Sequence, residues 1–357
     1  MTHDRPLVVV GDEALLDEIL RLAAAVGCET QRAPDIAAAR AQWQHAPLVL
    51  IDDQAIEGEL PRRNGIMLVT KGPPTPETWQ RVFDAGVEKV VSLPEGEQTL
   101  VAALADIAEG PVTPGGCVVG VIGGRGGAGA SVFATAIGMV AGKHGDALLV
   151  DCDPLGGGVD ALLGAEGDNG LRWSGIHVDG GRISMPTLAE ALPEHRHRGA
   201  RLPFVACARD KTGPTPDAIA SIVAAGKRAG NVVVCDLPRH LGAETDVVLR
   251  YADLVVLVVP AETRACLAAR RVAERIDDRA SRLRLVVRGP SPGGIYPDQV
   301  ANAVGVPLLT SMPPQRDLAK TLEHGQLDLR PRSPLAKAAR LVLAEARARL
   351  DVSKVAA

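Results

Sequence analysis

Short apolar runs alternate with amphipathic segments over residues 7–108, and this alternation predicts a first α/β region. The apolar runs that predict buried strands are Leu7–Val10, Leu48–Ile51, Ile66–Val69 and Lys89–Ser92. The segments with helical spacing between them are Glu13–Val26, Ile36–Trp43 and Thr78–Ala85. Strands that alternate with helices are typical of a parallel sheet covered on both faces. We therefore expect a doubly wound N-terminal domain.

A second alternation begins at Cys117 and predicts a larger domain of the same class. Its predicted strands are Val118–Ile122, Ala147–Val150, Phe204–Cys207, Val232–Cys235, Leu254–Val259, Leu283–Val287 and Pro307–Leu309. Its predicted helices are Ser131–Lys143, Pro216–Ala229, Thr263–Asp277, Tyr296–Val304, Pro314–Glu323 and Pro334–Leu350. We expect a mostly parallel, doubly wound sheet of about seven strands.

A segment rich in Gly and Pro, Glu109–Gly116, separates the two regions and predicts a linker. We therefore expect one domain at residues 1–110, a linker at 111–116, a second domain at 117–350 and a tail at 351–357.

Composition and charge narrow the function classes. A hydrophobic content of 46% with 23% charged residues is typical of a globular domain. A net charge of −4 and an aromatic content of 2% argue against a nucleic-acid-binding protein. The apolar runs are too short to span a bilayer, and the N-terminus lacks the apolar block of a signal peptide. We expect a cytoplasmic protein whose six cysteines, which form no C-x-x-C pair, are buried free thiols.

The segment Gly124–Ser131 is a glycine-rich loop between a predicted strand and a predicted helix. It fits the phosphate-binding pattern G-x-x-x-x-G-K-[ST] except at the lysine, which is Ala130. Glycines allow the tight turn and expose N–H groups to phosphate oxygens, here at Gly126, Gly127 and Gly129. Ser131 could ligate Mg²⁺ or cap the helix. The alternative interpretation is a glycine-rich turn that binds nothing.

Acidic residues follow two of the predicted strands. Asp151 and Asp153 end one strand, and Asp236 ends the very apolar run Val232–Cys235. Carboxylates at these strand ends face the crevice above a parallel sheet, where they could hold Mg²⁺ or orient a water molecule. Asp236 with the following Pro238 is a Walker-B-like arrangement. The alternative is that each aspartate only begins a loop.

A dinucleotide site is a second interpretation of the same loop. Gly124-x-Gly126-x-x-Gly129 also fits the fingerprint of such sites, and Asp151 lies about 20 residues further on, as that fingerprint requires. Ser131, the paired aspartates and Asp236 favour the mononucleotide interpretation, so a dinucleotide-binding oxidoreductase remains the lesser alternative.

These motifs resemble those of the MinD/ParA family of P-loop ATPases, over residues 117 to about 345. That family has a deviant Walker A loop, K-G-G-x-G-K-[ST], with an additional signature lysine. Arg125 stands at the signature position and Ala130 at the second lysine. Asp151-Cys152-Asp153 and Asp236-Leu237-Pro238 resemble the two switch motifs of the family.

The resemblance implies a set of site residues and the cofactors ATP and Mg²⁺. It places Asp153 at the catalytic position that orients the attacking water, and the metal near Ser131, Asp151 and Asp236. It places Arg288 where the family has an adenine-reading asparagine. The implied nucleotide-binding positions are Gly124, Arg125, Gly126, Gly127, Ala128, Gly129, Ala130, Ser131 and Arg288.

The N-terminal region resembles a response-regulator receiver domain. The phosphoacceptor position resembles Asp52 and the switch hydroxyl resembles Thr70. The acidic pair is reduced to Asp12-Glu13, and Leu93-Pro94 replaces the usual Lys-Pro. The resemblance therefore implies a pseudo-receiver that is not phosphorylated and that docks a partner or dimerises.

A pseudo-receiver followed by a MinD-like domain is the layout of CpaE and TadZ proteins. The segments IGGRGGAGAS, VVCDLPR and VVRGPSPGG are similar to those of the actinobacterial CpaE-like group of septum site-determining proteins. This resemblance implies a spatial regulator of cell division or of a pilus-type secretion apparatus. It implies division or secretion proteins as partners, a homodimer, and a cytoplasmic location with peripheral contact to the plasma membrane at a septum or pole.

The missing lysine bears on activity. A charge-assisted hydrogen bond contributes roughly 1.5–3 kcal/mol, and each ~1.4 kcal/mol is a factor of ten. We expect weak to moderate ATP binding with slow or no hydrolysis, which Arg125 partly compensates. An ATP-dependent switch enzyme and a non-catalytic scaffold both remain open.

The helix Pro334–Leu350 is Ala-rich and lacks aromatic residues, which favours a packed last helix over a membrane-binding one.

Overall fold

A computed structural model of the chain describes residues 5–57, 60–108, 113–145, 147–176, 183–197, 199–207, 213–276, 281–323 and 325–355. The chain divides into two compact units, of which the first comprises the described residues up to 108 together with residues 183–184, and the second comprises the other described residues.

The first unit is a five-stranded, fully parallel sheet in the order β2-β1-β3-β4-β5. Its strands are β1 (Leu7–Val9), β2 (Gln31–Arg32), β3 (Val49–Ile51), β4 (Ile66–Lys71) and β5 (Lys89–Leu93). Its helices are α1 (Glu13–Ala25), α2 (Ile36–Trp43), α3 (Pro76–Ala85) and α4 (Glu97–Ala108), with a 3₁₀ turn at Ala55–Glu57.

Two separate apolar clusters cover the two faces of this first sheet. One contains Leu15, Leu100 and Leu104 from α1 and α4, and the other contains Trp43 and Val82 from α2 and α3. The doubly wound α/β class predicted from the sequence is confirmed. Helix α4 was not predicted from the sequence, and neither was β2, whose two polar residues carry no apolar pattern.

The second unit contains an eight-stranded sheet in the order β13-β12-β11-β6-β10-β7-β9-β8. Its strands are β6 (Cys117–Gly123), β7 (Ala147–Asp151), β8 (Glu194–His197), β9 (Ala200–Val205), β10 (Val232–Leu237), β11 (Leu254–Pro260), β12 (Leu283–Arg288) and β13 (Leu308–Met312). All neighbouring strands are parallel except β8 and β9, which form an antiparallel pair at one edge. The mostly parallel sheet is confirmed, with one strand more than expected. The sequence Glu-His-Arg-His of β8 has no apolar run, and this strand could not be predicted.

The helices of the second unit cover both faces of its sheet. They are α5 (Ala130–Ala141), α6 (Val159–Leu163), α7 (Met185–Ala191), α8 (Pro216–Arg228), α9 (Ala243–Tyr251), α10 (Thr263–Arg275), α11 (Pro297–Val304), α12 (Leu318–Glu323) and α13 (Pro334–Val355), with a 3₁₀ turn at Trp173–Gly175. Helices α6, α7 and α9 were not predicted from the sequence. The helix expected from Pro314 begins only at Leu318, because Asp317 has a positive φ of 60° that a right-handed helix does not allow.

The last helix, α13, packs into the core of the second unit. Its buried residues share one apolar cluster with α5 and the central strand β6, and include Leu335, Ala339 and Val342. Its apolar face is therefore covered by the domain itself, as expected for a packed last helix. In the part of the chain that the structure describes, no helix has both the length and the apolar character needed to cross a membrane.

Part of the predicted linker packs against the second unit. Residues 109–112 lie outside the described ranges. The Thr113 amide donates to the Arg228 carbonyl (2.9 Å), and the Cys117 amide donates to the Asn231 carbonyl (3.1 Å). A side chain at Gly116 would collide with the backbone of Lys227.

All six cysteines are free and buried, which confirms the expectation for them.

Candidate functional site

The glycine loop joins the central strand β6 to the helix α5. Strand β6 lies between β10 and β11 and is completely buried, which fixes the point where the loop starts. The Gly124 amide donates to the Val258 carbonyl of β11 (2.9 Å). A Cβ at Gly124 would lie 2.7 Å from the Ala269 Cβ of α10, so the close packing of the loop on that helix requires glycine here.

The N-terminus of α5 is uncapped by any side chain. Gly127 and Gly129 have φ values of 70° and 89°, in the left-handed region that favours glycine. Gly129 is the N-cap residue of α5, which begins at Ala130. The first amide groups of a helix have no partner inside it, and a glycine cap offers them no oxygen. These amides and the helix dipole can therefore bind an anion.

The two alanines of the loop have different environments. The Ala128 amide donates to the Arg125 carbonyl (3.3 Å), and its side chain is buried in the apolar core. Ala130 is half-buried and packs against the same core. A methyl group thus stands at the position where the phosphate-binding pattern has an ammonium group, and it contributes no charge.

Arg125 is paired within its own chain. Its Nη2 atom donates to both carboxylate oxygens of Glu262, at 3.0 and 2.9 Å, and its Nη1 donates to the Gly126 carbonyl (3.0 Å). Glu262 is the N-cap residue of α10, 137 residues further along the chain. The guanidinium expected to compensate for the missing lysine is therefore held by an acidic side chain.

Arg288 lies against the loop from the other side. It is the last residue of β12, and its Nη1 atom is 2.9 Å from the position that a Cβ on Gly129 would take. Its Nε atom is buried and has no hydrogen-bond partner. Two more buried polar atoms without a partner, Ser291 Oγ and Gln315 Oε1, follow β12 and β13 in the sequence.

Ser131, Asp151 and Asp236 form the polar floor of the site. Asp151 and Asp236 are register partners on β7 and β10, and are 1% and 3% exposed. Ser131, in the first turn of α5, is close enough to the Asp236 carboxylate for its hydroxyl to lower the pKa of that group. Burial is the largest cause that raises the pKa of Asp151 to about 6, against amide hydrogen bonds that lower it. Burial, and next the charge of Asp151, raise the pKa of Asp236 well above its usual value.

The residues of this floor fit a magnesium ion. Hydroxyl and carboxylate oxygens are the ligands that Mg²⁺ prefers, and protein Mg²⁺ sites use one or two carboxylates together with phosphate oxygens. A divalent cation would also offset the cost of two buried carboxyl groups that repel each other. Across the described residues, no group of three or more His, Cys, Asp or Glu side chains is placed to hold a metal ion by itself. Phosphate oxygens of a bound nucleotide would therefore complete the ligands of this ion.

Asp153 organises the turn after β7. Its amide donates to Asp151 Oδ1 (3.1 Å), and its own Oδ1 accepts from the Leu155 amide (3.1 Å). The other oxygen of Asp151 accepts from the Val159 amide (3.3 Å). Asp151 is thus tied to its own loop by both oxygens, while Asp153 remains half-buried beside it.

The structure brings the site residues expected from the sequence to one edge of the sheet. The loop follows β6, Asp151 ends the nearby strand β7, Asp236 is the last residue but one of β10 between them, and Arg288 ends β12. Glu262 was not predicted from the sequence. No local pattern marks it, because it is identified by its contact with Arg125, 137 residues away in the chain.

In the first unit, the aspartate at the position of a receiver phosphoacceptor, Asp52, is not accessible. Asp52 is buried, and its Oδ2 accepts from the amides of Gly11 (2.6 Å) and Asp12 (3.1 Å). Its Oδ1 accepts from the Ala55 amide (3.0 Å). Lys71, which follows Thr70 at the end of β4, donates to Asp12 Oδ1 at 2.6 Å. The Asp52 carboxylate is thus fully engaged in holding the loops around it.

Comparison with known proteins supports both halves of this description. Residues 9–115 match a family model described as the Rv3660c-like, CheY-like N-terminal domain. Protein Rv3660c of Mycobacterium tuberculosis strain H37Rv is 44% identical over 344 residues, which cover 93% of this chain and 95% of that protein. The protein MT3760 of M. tuberculosis strain CDC 1551 matches with the same identity and coverage.

Solved structures identify the fold of the second unit. A ParA family ATPase from Chlorobium tepidum TLS superposes with a TM-score of 0.53 at 19% identity, covering 64% of this chain and 98% of that one. The cell division ATPase MinD of Pyrococcus furiosus superposes with a TM-score of 0.52 at 18% identity, covering 66% and 99%. At these identities the comparison establishes the fold. The chain belongs to the Rv3660c-like family, and in it a CheY-like domain precedes a domain with the fold of the ParA and MinD ATPases.

Proposed function

We propose that the second unit binds ATP with Mg²⁺ and that the bound nucleotide sets the state of a spatial regulator of septum formation or of a pilus-type secretion apparatus. The observation that carries the binding proposal is that the buried carboxyl groups of Asp151 and Asp236 are in register on β7 and β10, beside Ser131 and the uncapped start of α5. A hydroxyl and a carboxylate beside the end of a phosphate-binding loop are the groups that hold Mg²⁺ in P-loop proteins.

Each part of the proposed site has a separate task. The amides of residues 126–131 and the dipole of α5 hold the phosphates. Ser131 and Asp236, with Asp151 beside them, hold the metal ion, which neutralises charge on the phosphates. Asp153 stands next to Asp151 and orients the water that attacks the terminal phosphate. Because Ala130 cannot stabilise the transferring phosphoryl group, hydrolysis is slow or absent.

The regulatory role rests on the two-domain layout and on the fold. In the proposed scheme, ATP favours a homodimer and the CheY-like unit docks a division or secretion protein. The engaged Asp52 supports a docking unit that works without phosphorylation. The protein acts in the cytoplasm, at the inner face of the plasma membrane.

A nucleotide-independent scaffold is the second candidate. Two observations favour it: a methyl group replaces the ammonium at Ala130, and Arg125 is held by Glu262. A dinucleotide site is less favoured, because both oxygens of Asp151 accept amide hydrogen bonds and its carboxyl group is buried, which leaves it poorly placed for a ribose hydroxyl.

Titration calorimetry with ATP, with and without Mg²⁺, tests the proposal, and light scattering of the same samples follows the oligomeric state. We expect micromolar to submillimolar binding that requires Mg²⁺ and that is weakened by Asp236→Asn. Asp246→Asn is the matched control, because this exposed residue of α9 carries the same charge outside the site. Absence of binding at millimolar Mg²⁺-ATP by a folded wild-type chain would favour the scaffold.

A further inference from the structure

The backbone of Arg288 is fixed by both neighbouring strands. Arg288 is in register with Pro260 of β11 and with Met312 of β13, and its carbonyl accepts from the Ala261 amide (2.9 Å). It ends β12 at the same edge of the sheet as the glycine loop. The side chain of Arg288 therefore starts from a rigid point beside the proposed phosphate site.

The guanidinium group of Arg288 reaches the loop immediately before Ala130. Its Nη1, Cδ and Cζ atoms lie 2.9, 3.6 and 3.8 Å from the position that a Cβ on Gly129 would occupy. The close approach is available only because residue 129 has no side chain. A cation thus lies next to the position at which the phosphate-binding pattern has its lysine, although it comes from a strand that is distant in the sequence.

Among the described residues, Arg288 has no acidic partner with which it would form a structural ion pair. Its buried Nε has no acceptor. The Nε atom of Arg125 is also buried without an acceptor, but Arg125 differs in its charge, which Glu262 pairs by accepting from Nη2 with both oxygens. A buried N–H of a charged group without an acceptor is unfavourable, because folding has removed its hydrogen bonds to water. A phosphate oxygen would remove this cost, and a guanidinium can bind phosphate with two N–H groups at once.

We propose that Arg288 is the phosphate-binding cation of this site and takes over the charge that Ala130 does not provide. The inference rests on the proposed function and deepens it, because it changes the task of Arg288 from the nucleobase to the polyphosphate. The ligand class is then defined by its phosphates, and inorganic tripolyphosphate should bind as well as a nucleotide does.

The test compares the binding of Mg²⁺-ATP, Mg²⁺-tripolyphosphate and adenosine to the full chain by calorimetry. We expect Arg288→Gln to weaken ATP and tripolyphosphate equally, by roughly 10- to 100-fold. Arg288→Lys should retain part of the affinity. The matched control is Arg250→Gln, an exposed arginine at the end of α9. Circular dichroism establishes that each variant is folded.

A double variant distinguishes the loss of a phosphate-binding charge from a structural disturbance caused by Arg288→Gln. Adding Ala130→Lys to Arg288→Gln should restore tripolyphosphate affinity, because the charge returns from the loop itself. The assignment is overturned if Arg288→Gln weakens ATP but not tripolyphosphate, which would indicate a base-reading residue, or if it changes neither affinity. Failure of the rescue in a folded double variant also contradicts it. If the wild-type chain binds neither ligand, the proposed function itself fails, and the assignment of Arg288 fails with it.

Discussion

Asp151 and Asp236 lie directly opposite each other at the ends of the parallel strands β7 and β10, and both carboxyl groups are buried. Residues in register on adjacent strands point to the same face of a sheet. Two carboxyl groups in this relationship repel each other when both are ionised, and burial adds to the penalty. The pair is thus unfavourable for the stability of the fold, and the cation of the proposed function would offset this cost.

The first prediction concerns pH. Burial raises the pKa of Asp151 to about 6, above the value of about 3.9 in an unfolded chain. Between these values the folded state holds a proton that the unfolded state has lost. The proton on Asp151 therefore stabilises the folded state fully below the pKa of the unfolded chain. This stabilisation is lost as the pH rises through the pKa of Asp151 in the folded state, and it amounts to about 3 kcal/mol of unfolding free energy.

Denaturant unfolding of the metal-free protein between pH 4 and 8 measures this loss by comparison with Asp151→Asn. The variant should gain stability relative to the wild type as the pH rises across this window. Asp246→Asn should show no such relative gain. Parallel curves for the wild type and Asp151→Asn would contradict the expected titration.

The second prediction concerns the metal ion. Ser131→Ala should weaken the binding of Mg²⁺-ATP by roughly 10-fold and leave Mg²⁺-free ATP nearly unaffected, because it removes a metal ligand while keeping the loop amides. Calorimetry in the presence of Mg²⁺ or a chelator measures both affinities. Ser281→Ala, at an exposed position before β12, is the control. Equal loss under both conditions would argue against a metal role for Ser131.

The third prediction compares two glycines of the loop. Gly129→Ala should destabilise the protein by about 1–2 kcal/mol, because residue 129 has a φ of 89° in the left-handed region. The new Cβ would also displace the Arg288 guanidinium, so phosphate binding should be lost. Gly126→Ala has open space around its Cβ and should change the stability by less than about 0.5 kcal/mol. Similar melting temperatures for the two variants would refute this comparison.

The fourth prediction concerns the receiver-like unit. Asp52→Asn should destabilise it by about 1–3 kcal/mol, because an amide cannot accept from all three N–H groups that the carboxylate serves. Lys71→Ala, which breaks only an exposed ion pair to Asp12, should cost less than about 1 kcal/mol. Beryllofluoride should form no adduct with the wild type, as ¹⁹F NMR can establish. An adduct at Asp52 would show a working receiver.

The fifth prediction concerns membranes. The apolar face of α13 is buried in the domain core, so the full chain should not float with anionic vesicles through this helix. Leu341, an exposed residue of the same helix, provides the control, and Leu341→Ser should leave flotation unchanged. Vesicle binding that disappears in Leu341→Ser would instead place the exposed side of α13 on the bilayer.

The fold was largely predictable because the strands that build the site are continuous apolar runs. The runs that became β6, β7 and β10, with the glycine loop and the aspartates that follow, predicted one edge of one parallel sheet. The edge strand β8 was missed because its Glu-His-Arg-His sequence contains no apolar position. The helix α9 was missed too, although Thr245, Val247, Val248 and Leu249 are buried in it.

The details of the site were less predictable, because they depend on side chains that meet only after folding. The sequence predicted that Arg125 would serve the phosphates, but not that Glu262 would hold it. It predicted Arg288 at the end of a strand, but not that its guanidinium would lie on Gly129. Contacts across more than a hundred residues leave no periodic signal in the chain.

The register between β10 and β7 has a further consequence for how such a protein can lose its activity. Side chains alternate between the faces of a strand, so a slip of β10 by one residue would turn Asp236 away and present Cys235 or Leu237 to Ser131. The sheet, its order and its apolar contacts could survive such a deletion almost intact. A descendant with the same outline could therefore be chemically silent after the loss of a single codon far from the glycine loop.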